Sequence, residues 1–382
     1  MPNRTRCFPI DDKPSPVTAA NPSPVATLVH RLALNRMSWV DVVLLLIRIG
    51  FISAVVIGST RTFMEGRFST AQWATLISAG VAQGSIYALI ALGYTLVYGI
   101  LRLINFAHGD VFMCGAFFTV FLAIWTAQQG ILERAPAITV LSWILFAALI
   151  SMSVAVLVER LAYKPLRNKP RLVMLISAIG ASFFLQYTAR GFFTTAFRSY
   201  PTVPGLDGRL ELGQITVPHV QITVFAVALA LMAGLYILVE RTRIGRAMRA
   251  VSENMETARL MGVNIERVIM FTFGIGGALA GAAGVINGLY KPQGVSFIMG
   301  FFPGVKAFTA AVLGGIGSVP GALIGGLLLG IFEALGPNLV LTGLGIPGSN
   351  QLKDVIAFLM LVLILIFRPQ GIMGEVIEEE KA

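Results

Sequence analysis

Apolar runs of about twenty residues succeed one another along most of this chain, separated by short polar loops. That repetition constrains the fold more than any other feature. A run of this length matches one helical crossing of a hydrocarbon core about 30 Å thick. The composition agrees, with 56% hydrophobic and only 13% charged residues and a mean hydropathy of +0.79. A soluble domain carries about 25% charged residues. The expected fold is an all-α polytopic integral membrane protein with about 8–10 transmembrane or half-membrane helices.

The runs place spans near Trp39–Ser59, Gln72–Tyr98, Ile104–Ala127, Ala137–Val158, Leu172–Tyr187, Val220–Val239, Val268–Leu289 and Val355–Phe367. Arg48 in the first costs about 2.5–3.5 kcal/mol at a helix centre, which its Leu, Ile, Val and Phe neighbours offset at about 0.5 kcal/mol each. The second run exceeds the bilayer thickness, so it tilts or breaks, with Gly84 and Gly93 as the candidate break points. Residues 1–36 are polar and Pro-rich and read as a disordered cytoplasmic segment. Residues 37–70 read as an extra N-terminal helix and outer loop, and Met64 is an alternative start that would omit that helix.

Charge orients the spans. Lys and Arg gather in the N-terminal segment (five), in 159–171 (five) and in 240–267 (six). All three are assigned to the cytoplasm by the positive-inside rule. Loops 60–71, 128–136 and 188–219, with two, one and three, then fall outside. Both termini are cytoplasmic on this reading, provided the Gly-rich stretch 302–335 returns to the side it entered from. Two short helices around Gly314, Gly315, Gly317 and Pro320 satisfy that condition as a re-entrant hairpin, a device that lines polar cavities in transporters. The Pro- and Gly-containing outer loop 190–218 is expected to form a short hairpin or an ordered cap.

The net charge of +10 is explained by those loops, and no basic stripe with interleaved aromatics suggests nucleic acid. Cys7 and Cys114 give no disulfide framework, and the scattered histidines give no metal-ligand spacing, so neither a metal nor a cofactor is expected. No catalytic constellation stands out. His108 and Asp110 are two residues apart and do not share a helix face.

The polar residues that remain divide into three groups. Asn105, His108 and Asp110 sit together in apolar sequence, with Tyr87, Tyr94 and Thr95 on the preceding span. Polar groups at membrane depth pair or face water. Two readings stand: a translocation path or gate, and an interhelical hydrogen-bond knot. Lys306 and Glu333 are the charges of the re-entrant stretch; they either pair, or Lys306 snorkels to the headgroups, the reading favoured from sequence. The third group is the cytoplasmic loop 240–267, where Ser252 is a candidate N-cap and Gly262 a candidate helix stop. Met248, Val251, Met255 and Ala258 fall on one helical face, and Asn264 can cap the next span. Such a helix either lies on anionic lipid or docks into a partner's groove.

Glu256-Thr257-Ala258-Arg259-Leu260-Met261-Gly262 resembles the Glu-Ala-Ala-x-x-x-Gly coupling motif of bacterial ABC importer permeases, with Thr257 as the departure. Two longer segments are more specific. Gly84 to Ile100, followed by Ile104 to Asp110, and Lys306 to Gly326 closely resemble LivH-type permeases of high-affinity branched-chain amino-acid importers. Asp110 stands where that pattern usually has Glu. The resemblance runs from about residue 71 to the end.

It implies a non-enzymatic inner-membrane subunit in a larger machine. Its partners would be a second, LivM-like permease, two cytoplasmic ATPases and a periplasmic binding protein. Glu253, Glu256, Thr257, Ala258 and Gly262 would be the ATPase-coupling residues. The absence of a Gly-x-x-x-x-Gly-Lys-Ser/Thr loop from the sequence accords with ATP being hydrolysed elsewhere. Urea or short-amide import by a similar permease is the nearest alternative, and an ion-coupled carrier a more distant one.

Overall fold

The computed structural model describes residues 39–374 except 168, 194, 214, 292 and 369; the segment 1–36 expected to be disordered lies outside the described residues. By its internal contacts the chain divides between Val55 and Val56. Within the first unit, residues 39–55 are the start of helix α1 (Trp39–Met64), with Leu45, Leu46, Ile49 and Ile52 exposed as a lipid-facing helix requires. The rest of the chain forms the second unit.

There the helices are α2 (Thr70–Leu101), α3 (His108–Gln128), the single turn α4 (Ile131–Arg134), α5 (Pro136–Val158) and α6 (Arg171–Phe192). A two-stranded hairpin follows, β1 (Arg209–Leu212) against antiparallel β2 (Ile215–Pro218). Then come α7 (His219–Arg241), α8 (Arg243–Glu253), α9 (Met255–Leu260), α10 (Ile265–Tyr290), α11 (Phe301–Gly314), α12 (Val319–Gly336) and α13 (Lys353–Phe367). Among the described residues, eight helices are long and apolar enough to cross a membrane, and α11 is shorter. Seven of the expected spans are among the eight; α13, where Val355–Phe367 was expected to cross, is only 15 residues long and is not, whereas α12 with its continuation to Leu341, expected as the short second arm of a re-entrant hairpin, is long enough to cross. The α11–α12 hairpin and a strand pair within 190–218 are present.

Helix α2 departs from expectation. It runs unbroken for 32 residues, about 48 Å at 1.5 Å per residue, so its excess length is taken up without a break at Gly84 or Gly93. A capping box starts it: Ser69 Oγ accepts from Gln72 N–H, and Gln72 Oε1 accepts from Ser69 N–H. Arg102, in the left-handed region at φ 53°, ends it.

Its glycines serve packing instead. Lipid tails are as apolar as Leu, so helices in a bilayer gain from close backbone approach more than from apolar burial. Gly80 and Gly84 on α2 face Gly326 and Gly330 on α12, and a Cβ on Gly84 would lie 2.8 Å from the Gly326 carbonyl oxygen. A second seam joins α10 to α5, where a Cβ on Gly277 would lie 2.6 Å from the Ser151 carbonyl oxygen. Helices α2 and α10 are accordingly the central ones, with 83% and 78% of their most apolar stretch buried, against 22% for α6. On α5, Leu141, Leu145 and Leu149 recur four apart as an exposed stripe suited to lipid.

The α11–α12 turn needs glycine. Gly315 and Gly317 adopt φ of 105° and 101°, a region other L-residues rarely enter. The C-terminal segment closes over this turn, with Ile372 and Met373 N–H donating to the Leu313 and Gly314 carbonyls, both at 2.9 Å.

Candidate functional site

Three places concentrate polar chemistry, and helix α7 has one of them at each end. At its C-terminal end the chain reverses into α8 and α9. Thr242 caps α8 by accepting from Gly245 N–H at 3.0 Å. Asn254 caps α9 by accepting from Thr257 N–H at 2.9 Å. Ser252 is therefore not the cap. It sits inside α8, and the extended backbone of Asn254 (φ −149°) makes the break two residues later. Gly262 adopts φ 84° after α9, and Asn264 caps α10, both as expected.

The amphipathic reading of this loop holds. Met248, Val251 and Ala258 are buried, while Glu253, Glu256 and Thr257 are exposed. Sequence reasoning gave no role to Leu260 and Met261, whose 87% and 80% exposure makes an apolar prong between Arg259 and Gly262. Arg102 Nη2 donates to the Ser252 carbonyl at 3.2 Å, tying the end of α2 to the end of α8. Beside it, Glu266 at the start of α10 pairs with Lys164 (2.7 Å) and Arg167 (2.9 Å) from the stretch after α5, and Arg167 also pairs with the buried Glu159. The loop is thus held to two helices that reach across the bundle.

Deeper in the bundle, Asn105, His108 and Asp110 are all buried, but each meets a different element. Asn105 Oδ1 accepts from Tyr163 Oη at 2.8 Å and from Ala107 N–H at 3.1 Å. Asp110 accepts from Ser182 Oγ and from Gln186 Nε2 (2.9 Å), both on α6. The His108 ring fills the space beside Gly93 and stands edge-on to Tyr94, with centroids 4.8 Å apart. The arrangement ties α3 to α2, α6 and the turn after α5. Thr95 is also buried. Tyr163, Ser182 and Gln186 gave no sequence signal, because they stand far along the chain from their partners, Tyr163 in the turn after α5 and the other two on α6.

At the N-terminal end of α7, beside β2, lies a cavity of about 700 Å³. Its walls include Gln83 from α2, Tyr290 at the end of α10 and Lys291 just after it, Glu333 from α12 and Asp354 from α13. Lys306 does not snorkel. It is 5% exposed, and its Nζ lies 2.7 Å from Glu333 Oε1 and 2.5 Å from Asp354 Oδ1. Snorkelling would keep the ammonium hydrated, but on α11 two carboxylates from α12 and α13 are nearer. Tyr87 adds its ring face, 5.8 Å from the ammonium. Asp354 is the partner that sequence reasoning missed. Gly314, Gly315, Gly317 and Pro320 are not near this pair; they form the turn at the other end of the hairpin.

Lys291 is half-buried and makes no ion pair among the described residues. Burial, and then the neighbouring Lys306, push its ammonium below the usual lysine range, while Glu333 and Asp354 oppose that shift. Two buried side-chain atoms on the cavity wall, Glu333 Oε2 and Gln83 Nε2, have no hydrogen-bond partner.

Residues 76–365 match the family model described as the branched-chain amino acid transport system permease component. The chain is 42% identical over 300 residues to the BraD permease of the Pseudomonas aeruginosa high-affinity branched-chain amino acid transport system, covering 77% of this chain and 94% of that one. It is 42% identical over 304 residues to LivH of Escherichia coli K12, covering 77% and 93%. A probable LivH of Methanocaldococcus jannaschii is 25% identical over 78% of this chain and 92% of its own. Among solved structures, PsaBC from Streptococcus pneumoniae in complex with a Fab aligns at a TM-score of 0.40 and 13% identity over 81% of this chain and 96% of that one, too weak a likeness to argue from.

Proposed function

Since this chain belongs to the permease-component family of branched-chain amino acid transport systems, we propose that it lines one side of the membrane path of an ATP-driven importer for branched-chain or closely related neutral amino acids. It is a multi-pass membrane protein whose relatives are transport permeases rather than enzymes. The names of those relatives favour amino acids over urea or short amides as cargo, and favour an importer subunit over an ion-coupled carrier.

The observation that carries the mechanism is the α8–α9 unit. An apolar prong, Leu260 and Met261, stands in a charged loop and is tethered by Arg102 to α2, one of the two central helices. A prong of this kind suits a groove on a partner, as an amphipathic helix docks by its apolar residues. The partner would be an ATPase subunit on the cytoplasmic face, with a LivM-like permease completing the path and a periplasmic binding protein delivering cargo. Movement of the prong would pass through the Arg102–Ser252 contact to α2, and through α10, whose Glu266 pairs with Lys164 and Arg167, to the stretch after α5. The positive loop 240–267 supports a cytoplasmic position for this end, and hence for the Gly315 turn and the C-terminal segment packed on it.

The test is substitution of the prong. Leu260→Asp with Met261→Asp is expected to abolish co-purification of the ATPases with the tagged chain, while membrane insertion and thermal unfolding stay unchanged because both side chains are already exposed. Full retention of the ATPases by this variant would remove the docking assignment.

A further inference from the structure

The cavity beside β2 lies at the end of α7 opposite the α8–α9 unit, which for an importer is the side of arrival. Its chemistry is specific. Glu333, on the cavity wall, uses one carboxylate oxygen on Lys306, and its Oε2 is buried without a hydrogen-bond partner. On another wall Lys291 carries a half-buried cation with no ion pair among the described residues. Gln83 adds a buried amide N–H donor that is also unmatched. Native proteins pair nearly all buried polar atoms, and leaving one unmatched is costly. An open anion, an open cation and an open donor around one space therefore point to a ligand that supplies all three complements.

A free α-amino acid does so, because its ammonium and carboxylate are held close together with no net charge. Urea offers donors to Glu333 but no anion to Lys291. Resting on the import reading above, we propose that this cavity is the first binding site for cargo in the membrane: the α-ammonium is taken by Glu333 Oε2, and the α-carboxylate by Lys291 with Gln83. The apolar side chain is left to the remaining volume, where Ala79, Val220 and Leu289 lie. The site thus selects the head group common to neutral amino acids, and discrimination among their side chains falls to other parts of the assembly.

The test uses the full chain in lipid nanodiscs with Cys7→Ser and Cys114→Ala, so that Gln293→Cys on the cavity wall is the sole thiol. Its modification rate by a charged thiosulfonate is measured with leucine, leucinamide (no carboxylate), isocaproate (no ammonium) and urea. Leucine is expected to slow labelling several-fold, and the other three to do so far less. Glu333→Gln or Lys291→Met is expected to raise the leucine needed by about tenfold, as loss of one charge-assisted contact implies, and Lys291→Arg to restore it. Lys291→Met keeps the test sound should Glu333→Gln perturb folding. Absence of protection by leucine, or equal protection by leucinamide, isocaproate or urea, overturns the proposal. ATP-driven leucine uptake by the complete importer without protection here overturns the site and leaves the import reading standing.

Discussion

Lys306→Met is expected to lower stability by about 3–5 kcal/mol, because it strands a buried carboxylate. The lysine side chain is 7% exposed and that of Glu333 12%, so neither charge has bulk water to turn to. Asp354 is different: its side chain is 49% exposed and loses little when its partner goes. The cost therefore falls on Glu333. The double variant Lys306→Met with Glu333→Leu should recover most of the loss, since removing both charges removes the desolvation that the pair had offset. Thermal unfolding of the wild type, both singles and the double in one detergent checks this. Additive losses in the double would show that the pair is not coupled.

Gly330→Leu is expected to separate α2 from α12. Even a Cβ at residue 330 would collide with the backbone of Gly84, and backbone cannot rotate aside as a side chain can. Inserting extra methylenes into a packed core costs about 1–3 kcal/mol, and the loss here should reach or exceed the top of that range. Gly330→Ala should already be harmful, because its single methyl meets the same atoms. Gly99→Ala is the control, with nothing within 4 Å of its Cβ position and a gain in helix propensity. Unfolding temperatures that rank Gly99→Ala, Gly330→Ala, Gly330→Leu from highest to lowest would support the seam. Equal values for the last two and wild type would contradict it.

Much of the fold was legible because the bilayer imposes a length and a hydropathy on each span. The hairpin α11–α12, the stop at Gly262 and the cap at Asn264 were also readable, since each rests on local backbone chemistry. Other features were not. Gly84 and Gly93 read as break points of an overlong helix, and only the arrival of α12 at one and the His108 ring at the other shows that they serve packing. Ser252 looked like a cap by residue type, but Asn254 serves because the chain turns extended there. Lys306 was read as snorkelling because Asp354 belongs to a helix that periodicity could not bring near it. Asn105 and Asp110 announced themselves as costly polar groups, yet Tyr163, Ser182 and Gln186 carry no mark of being their partners. Lys291 and Gln83 had no local signal, since what distinguishes them is an unoccupied partner position in three dimensions.

In an importer of this design the energy enters through the α8–α9 unit. The decisive measurement is leucine uptake into proteoliposomes containing this chain with a LivM-like permease and both ATPases, with ATP enclosed and the binding protein outside. Uptake should require the enclosed ATP, stop with vanadate, and vanish in the Leu260→Asp, Met261→Asp variant. Leucine uptake by this chain alone, driven by a proton gradient and indifferent to ATP, would contradict it.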